Sequence, residues 1–448
     1  FFFRVVSRRM CDDGMERSST GANGRRMEAQ ERRGRTEEEA TNDVSDPWRS
    51  WLDRRRKEDA RKGRLRSLAV LDGRMDVCEF GSNDALGLSQ HVEVKREASK
   101  TAWERGMGPR GSALVCGHTD LHVQLAQRLC RLTRDERCLL FPTGYAANLA
   151  VLSALGDEGC HVFSDQLNHA SIVDACRMAK RNGAHVSVYR HNDVQQLERW
   201  MERSERPRKL VITEGIFSMD GDFAELKKLA ALKEKHKFWL AVDEAHATLI
   251  CGKRGAGATE AFGIEDAVDI HIGTLSKAIG CQGGFVTTHA QLYDFLVTHA
   301  RTHIYSTALP APILSAALMA IHIATRDDVL RCKLWRNVRL FSELMGCNFA
   351  SHIAPILVGG EQETLQMSEK LLKSGYHVTA IRPPTVPPGT SRLRVAISAS
   401  HSEDQIKGIA TALKQLGIDV GASRFFFNYT RIFPEIEGAA AAPQASKL

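Results

Sequence analysis

Little in this sequence ties it to a membrane, a disulfide framework or nucleic acid. No apolar run approaches the length of a membrane span; the longest, Ala311–Ala324, is short and broken by His322, which suits a buried helix. Eleven cysteines are scattered with no C-x-x-C pair. Neither a zinc framework nor a disulfide-dense scaffold is expected, no metal site is assigned, and reduced thiols of an intracellular protein fit instead. Positive charge is scarce where nucleic acid would need it. The chain carries +7, but residues 1–66 hold 18 Lys/Arg against 13 Asp/Glu and account for +5 of that. The rest is near neutral, which argues against a basic binding face. A Walker A loop is also missing. Asp243-Glu244-Ala245-His246 spells a helicase-type acidic box, but no G-x-x-x-x-G-K-[ST] accompanies it, so nucleotide hydrolysis is set aside. Gly106-x-Gly108-x-x-Gly111 matches the dinucleotide fingerprint, yet it follows a helical pattern rather than a strand, so NAD is set aside too.

What is present is ordinary globular composition over 448 residues, 43% hydrophobic and 26% charged, enough for one large domain and a smaller one. Residues 1–47, rich in Arg, Glu, Gly and Ser, read as a disordered leader, and Glu37-Glu38-Glu39 argues against a mitochondrial transit peptide. Residues 48–95 begin with a charged helix over Trp48–Leu68 and a short strand at Val77–Phe80; a helix over Val92–Arg105 follows. Across residues 96–310, apolar runs at Cys138–Phe141, His161–Ser164, Val186–Tyr189, Lys209–Thr213, Phe238–Val242, Val268–Ile272 and Gly284–Thr287 predict strands. Helical patterns at Asp120–Leu132, Ser171–Asn182 and Ala224–Lys235 lie between them. Short strands buried between helices predict an α/β fold with a largely parallel sheet. Residues 311–420 open on a long helical stretch and continue with strands at Ala354–Val358, Val378–Ile381 and Arg392–Ile397, a smaller α+β domain. Residues 421–448 are a tail finishing in Ser446-Lys447-Leu448, the address read by the peroxisomal import receptor. A peroxisomal location is expected, with the cytosol as the alternative.

The chemistry is expected beyond the carboxyl ends of strands, where open α/β sheets place ligands. The run FWLAVDEA delivers Asp243 at a strand end, followed by His246. The next strand leads into Gly273-Thr274-Leu275-Ser276-Lys277. Alone, a lysine after a strand is usually a solvated surface residue and an aspartate there is often a helix cap. Together on successive βα units they match what pyridoxal 5'-phosphate (PLP) requires: a lysine for a Schiff base (Lys277), hydroxyl donors for the phosphate (Thr274, Ser276) and a carboxylate for the pyridinium nitrogen (Asp243). Thr143-Gly144-Tyr145 follows a strand and opens a helix, offering backbone N–H groups to a phosphate. His169, past another strand end, is placed to stack on a planar ring. Ser218 sits in the tight turn 217–222, and Arg392 and Arg394 face one side of a strand, where either is suited to gripping a carboxylate or to a plain salt bridge.

The segments FGSNDALGL (80–88), DQLNHAS (165–171), HNDV (191–194), VITEGIFSMDGD (211–222), AVDEAHA (241–247), GTLSKAIG (273–280), IYST (304–307) and VTAIRPPTVPPGTSRLR (378–394) resemble the α-oxoamine synthases, fold type I PLP-dependent transferases, over about Trp51 to Leu416. The run Ile381–Pro387 is most similar to the branch that serves biotin synthesis. The resemblance implies that L-alanine and pimeloyl-CoA are condensed with loss of CO2 and CoA. Sister branches remain the alternative: glycine C-acetyltransferase, 5-aminolevulinate synthase and serine palmitoyltransferase. It also implies roles for single residues. Lys277 carries the cofactor and moves the α-proton, Asp243 pairs with the ring nitrogen, His246 meets the phenolic oxygen, and His169 stacks on the ring. Gly144, Tyr145 and Thr274 hold the phosphate, with Ser306 and Thr307 supplied by the partner of a homodimer. Ser218 and Asn83 line the substrate side, and Arg394 takes the amino-acid carboxylate. Two departures stand out: Ala85 replaces the family's usual aromatic, and the loop GMGPRGSALVCG (106–117) is bulkier than in bacterial relatives.

Overall fold

Short apolar strands build a seven-stranded sheet with a hydrophobic core on each face. The computed structural model describes residues 46–62, 64–66, 68 and 77–418. Most of the predicted leader, and the predicted tail with its Ser446–Leu448 tripeptide, lie outside the described residues. The strands are β1 (Cys78–Glu79), β2 (Arg137–Phe141), β3 (Cys160–Asp165), β4 (His185–Tyr189), β5 (Arg208–Glu214), β6 (Trp239–Asp243), β7 (Ile270–Thr274), β8 (Gly284–Thr288), β9 (Ile353–Gly359), β10 (Tyr376–His377), β11 (Thr379–Ile381) and β12 (Ser391–Ala396).

The large sheet has the order β2-β8-β7-β6-β5-β3-β4. Strands β7, β6, β5, β3 and β4 run parallel, and β8 is antiparallel to both β2 and β7. Period-2 geometry sends Val162, Leu210, Ile212, Ala241 and Ile270 into one core, and Phe163, Val211, Leu240 and Val242 into the other. Both faces are therefore covered, as a parallel sheet demands. The chain turns back between β3 and β5, so the topological switch point, where such sheets bind ligands, falls at their carboxyl ends.

Helices fix these ends. In Asp120–Thr133, Leu121, Leu125, Leu129 and Leu132 are buried at helical spacing, and Thr119 caps the first turn reciprocally with His122. The charged helix expected over Trp48–Leu68 is shorter, Pro47–Arg61. It buries no residue, and the Lys62 N–H closes onto the Glu58 and Ala60 carbonyls just before Gly63, a weak helix former. The small antiparallel sheet β11-β12-β9 and the parallel pair β1-β10 complete the fold. All of β12 is buried, and its arginines point toward the turn after β5.

Candidate active site

The parallel strands end at one edge, where the predicted residues gather. Strand β5 delivers Glu214 in register with Asp243 at the end of β6, and β7 delivers Thr274, three residues before Lys277. Asp243 is buried; its Oδ2 accepts from Asn148 Nδ2 at 2.7 Å and its Oδ1 from the Ala245 N–H at 2.9 Å. The same Asn148 amide donates to Ser171 Oγ at 3.0 Å, and Ser171 Oγ lies 2.7 Å from His169 Nδ1. The Ser171 N–H also points at that nitrogen, at 3.2 Å. Nδ1 of His169 is thus an acceptor, which leaves the ring proton on Nε2. A hydrogen-bonded chain therefore runs from His169 through Ser171 and Asn148 to Asp243.

Burial pulls the Lys277 ammonium down to about 8, against the upward pull of Asp243 and Glu214. Burial and the adjacent Asp243 raise the Glu214 carboxyl to about 8. His246 is buried with Nδ1 unpartnered among the described residues; burial, with Lys277 and Arg394 nearby, holds it well below the usual histidine range. Its ring centre lies 6.0 Å from that of His352, which burial and the same cations push down to about 3.

A phosphate-sized cradle forms where the turn after β2 meets β7. Thr143 takes the Ala146 N–H on its hydroxyl at 3.0 Å and the Ala147 N–H on its carbonyl at 3.1 Å. The N–H groups of Gly144 and Tyr145 find no protein acceptor among the described residues. A Cβ on Gly144 would sit 3.1 Å from Thr274 Cβ and 3.3 Å from its hydroxyl; one on Gly284 would sit 2.3 Å from the Thr143 carbonyl. Only glycine leaves that space open. The ring of Tyr145 meets His169 edge-on at 6.4 Å, and its hydroxyl bonds Asp174.

On the other wall, Arg394 is buried and donates Nε to the Ser218 carbonyl at 2.7 Å and Nη1 to Asn83 Oδ1 at 3.1 Å. It has no carboxylate partner among the described residues. Arg392 is already paired, with Asp220. The structure thereby separates the two arginines: Arg392 is in a salt bridge, and Arg394 is bonded only to neutral acceptors among the described residues. Ser306 and Thr307 do not join the cradle of their own chain. They line a separate cavity of about 320 Å³, with Thr307 bridging to Ser112.

Five residues near the site escaped sequence reading. Glu214 was legible by the same strand-end rule that found Asp243. Ser171 stood inside DQLNHAS and Asn148 just after Thr143-Gly144-Tyr145, neither with a role, and His352 carried no signal. His191 of HNDV is held between Asp165 and Asp222, Nδ1 to Oδ1 at 3.0 Å and Nε2 to Oδ2 at 2.7 Å, tying the His169 loop to the Ser218 turn. The set-aside motifs also have structural explanations. Glu244 accepts the N–H groups of Ala258 and Thr259, capping a helix, and Gly106 closes the helix Val92–Arg105 at φ 82°.

The donor set fits PLP: an N–H and hydroxyl cradle, a buried and braced aspartate, an unpartnered buried imidazole and a lysine in reach of both carboxylates' fields. Comparison with known proteins agrees. The profile of the family "Aminotransferase class I and II" matches residues 75–413. An 8-amino-7-oxononanoate synthase of Arabidopsis thaliana is 42% identical over 370 residues, 79% of this chain and 76% of that protein. That of Geotalea daltonii is 39% identical over 81% of this chain and 94% of its own. Among solved structures, serine palmitoyltransferase from S. paucimobilis with bound PLP and myriocin superposes with TM-score 0.76 at 28% identity, covering 84% of this chain and all of that one (100%). An 8-amino-7-oxononanoate synthase from Francisella tularensis gives TM-score 0.65 at 29% identity, over 77% and 98%.

Proposed function

The chain belongs to the class I and II aminotransferase family, and from that premise we propose that it condenses L-alanine with pimeloyl-CoA to give 8-amino-7-oxononanoate, CoA and CO2. The names of its relatives support the product. The observation that carries the reading is the convergence of Lys277, Asp243 and the Gly144–Thr274 cradle at adjacent strand ends, opposite an unpaired Arg394.

Bound PLP supplies an electron sink for the α-carbanion of the amino acid. Lys277 would anchor the cofactor; Gly144, Tyr145 and Thr274 would hold its phosphate, Asp243 its ring nitrogen, His246 its phenolic oxygen and His169 its ring face. With a pKa near 8, Lys277 keeps an unprotonated fraction at neutral pH and so can take the α-proton of alanine at Nζ and return it. Asn148 and the Ala245 N–H fix the Asp243 carboxylate, so its orientation need not change during turnover. Ser218 and Asn83 hold two corners of the Arg394 guanidinium and leave Nη2 to the substrate carboxylate.

The test is an absorbance scan through the near-UV and visible, adding L-alanine and then pimeloyl-CoA while CoA release is followed. A cofactor band that shifts with alanine, turns over with the thioester and is missing in Lys277→Ala supports the reading. A response confined to serine with palmitoyl-CoA moves the function to the second reading, a serine palmitoyltransferase reaction, which the likeness to solved structures of that enzyme favours. No band after added PLP refutes both.

We further propose a homodimer in which Ser306 and Thr307 complete the partner's phosphate cradle. Exposed Tyr305, Val115 and Leu114 beside them support an apolar contact. Light scattering coupled to gel filtration reads the mass, and a monomer with full activity sinks the idea. Ser446-Lys447-Leu448 supports peroxisomal delivery. An N-terminal fluorescent fusion whose location is unchanged by deleting those three residues would overturn it.

A further inference from the structure

Away from the Lys277 cleft, a cavity of about 410 Å³ opens where the helices Asp120–Thr133, Ala311–Arg326 and Val329–Met345 meet the loop after β6. Arg128, Arg131, Lys253, Arg254 and Arg331 line it, and no acidic side chain does. Glu260 and Glu265 both engage Arg254 from outside the lining. Arg128, Arg131 and Lys253 have no carboxylate within ion-pair distance among the described residues.

These cations are held in place. Arg331 is buried at 4% exposure and donates Nη1 to the Ala324 carbonyl at 2.7 Å and Nη2 to the Lys253 carbonyl at 3.0 Å, which pins the loop carrying Lys253. Arg128 Nη2 donates to Thr325 Oγ1 at 2.7 Å. The carbonyl end of the helix Asp120–Thr133 offsets part of the charge on Arg131 in its last turn. One helix end carries about half an elementary charge, so it cannot balance Arg128, Arg131 and Lys253 together. Like charges gathered in a concavity focus a positive potential and repel one another until a counter-anion enters. A guanidinium fork matches phosphate oxygens in pairs, and Arg131 carries one with no carboxylate partner among the described residues. The volume lies within the range of small-molecule sites, which extends from about 300 to about 1,000 Å³.

We propose that this cavity is a second ligand site, separate from the cleft, for a small molecule bearing several phosphate charges. Its residues take no part in the machinery derived above. Two sources offer that chemistry: CoA, with its diphosphate and 3'-phosphate, and a free nucleoside triphosphate.

The experiment is isothermal titration of the PLP-loaded full chain with tripolyphosphate, ATP and CoA, in about 50 and about 300 mM salt. The double variant Arg131→Ala/Lys253→Ala removes two exposed cations, and Arg131→Lys/Lys253→Arg keeps them as a control. Tripolyphosphate is expected to bind saturably and more weakly at high salt. Binding should be about tenfold weaker in the alanine variant, near normal in the charge-preserving one, and turnover should be unchanged in both. If the variant weakens ATP alone, the ligand is a nucleotide; if it weakens a CoA component alone, the ligand is CoA. No saturable binding of any of the three, or binding equal in parent and alanine variant, overturns the site.

Discussion

Replacing His191 with glutamine removes a cation from between two carboxylates, and the stability cost should depend on pH. Burial pulls the imidazolium down, but its bonds to Asp165 and Asp222 outweigh this and raise it from 6.5 to about 10. At about 1.4 kcal/mol per pH unit, that rise caps the coupled stabilisation at roughly 5 kcal/mol. The side chain is 25% exposed, so solvent screening brings the working figure to about 2–3 kcal/mol. The sign follows from the two states. The unfolded chain sheds this proton near 6.5, whereas the folded one keeps it to about 10. The stabilisation is whole below 6.5 and is lost as pH rises toward 10. Urea unfolding of wild type and His191→Gln at several pH values between about 6 and about 10 measures the gap. It should be widest at the acid end and shrink steadily above neutrality. A gap that stays flat across that range would refute the doubly bonded imidazolium.

Three further outcomes follow from the cleft. Glu214, raised from 4.5 to about 8, is protonated at neutral pH, so the wild type loses stability as pH climbs from 4.5 through 8 while Glu214→Gln does not. Turnover of that variant at pH 7 should stay within about twofold, and thermal melts near pH 6 and pH 9 show whether the two proteins diverge. Gly144→Ala puts a Cβ 3.1 Å from Thr274 Cβ at the mouth of the cradle, so PLP affinity should fall about tenfold by fluorescence titration, and unchanged affinity would mean the phosphate sits elsewhere. Arg394→Lys keeps the charge but loses the planar fork fixed by Ser218 and Asn83, so the KM for alanine should rise about tenfold or more with a smaller change in kcat.

Much of the large sheet was legible because a strand buried on both faces is written as a short apolar run, and β3, β5 and β6 each contain one. The predicted Arg392–Ile397 strand is shifted by a single residue, to Ser391–Ala396, since only pairing with β9 sets its ends. The Trp48–Leu68 helix was overextended because charge patterning carries no stop signal, whereas a glycine does. Site residues were legible where one residue type performs one task at a strand end. Arg392 and Arg394 were not separable by sequence, since what divides them is Asp220, an acid brought close by a turn some 170 residues away. His352 was invisible for a related reason: its neighbour His246 comes from the other sheet.

The protonation states gathered at the cleft form one argument about how it works. Three imidazoles, His169, His246 and His352, are all held below the usual histidine range, chiefly by burial. Burial, with Asp243 adjacent, raises Glu214 to about 8 and keeps it neutral at neutral pH. Arg394 stays charged on one wall, and Lys277 lies near its own titration point. On the proposed reading, a zwitterionic amino acid entering that field would meet Arg394 with its carboxylate and bring its amino group toward Lys277. Held neutral, the histidines add no positive charge that would keep Lys277 from accepting a proton. Were His352 or His246 cationic, Lys277 would fall further below 8 and the substrate carboxylate would have competing partners. Burying the imidazoles thus leaves Arg394, which meets no carboxylate among the described residues, as the cation the proposed reading offers to a substrate carboxylate, with Lys277 and Glu214 both titrating near 8.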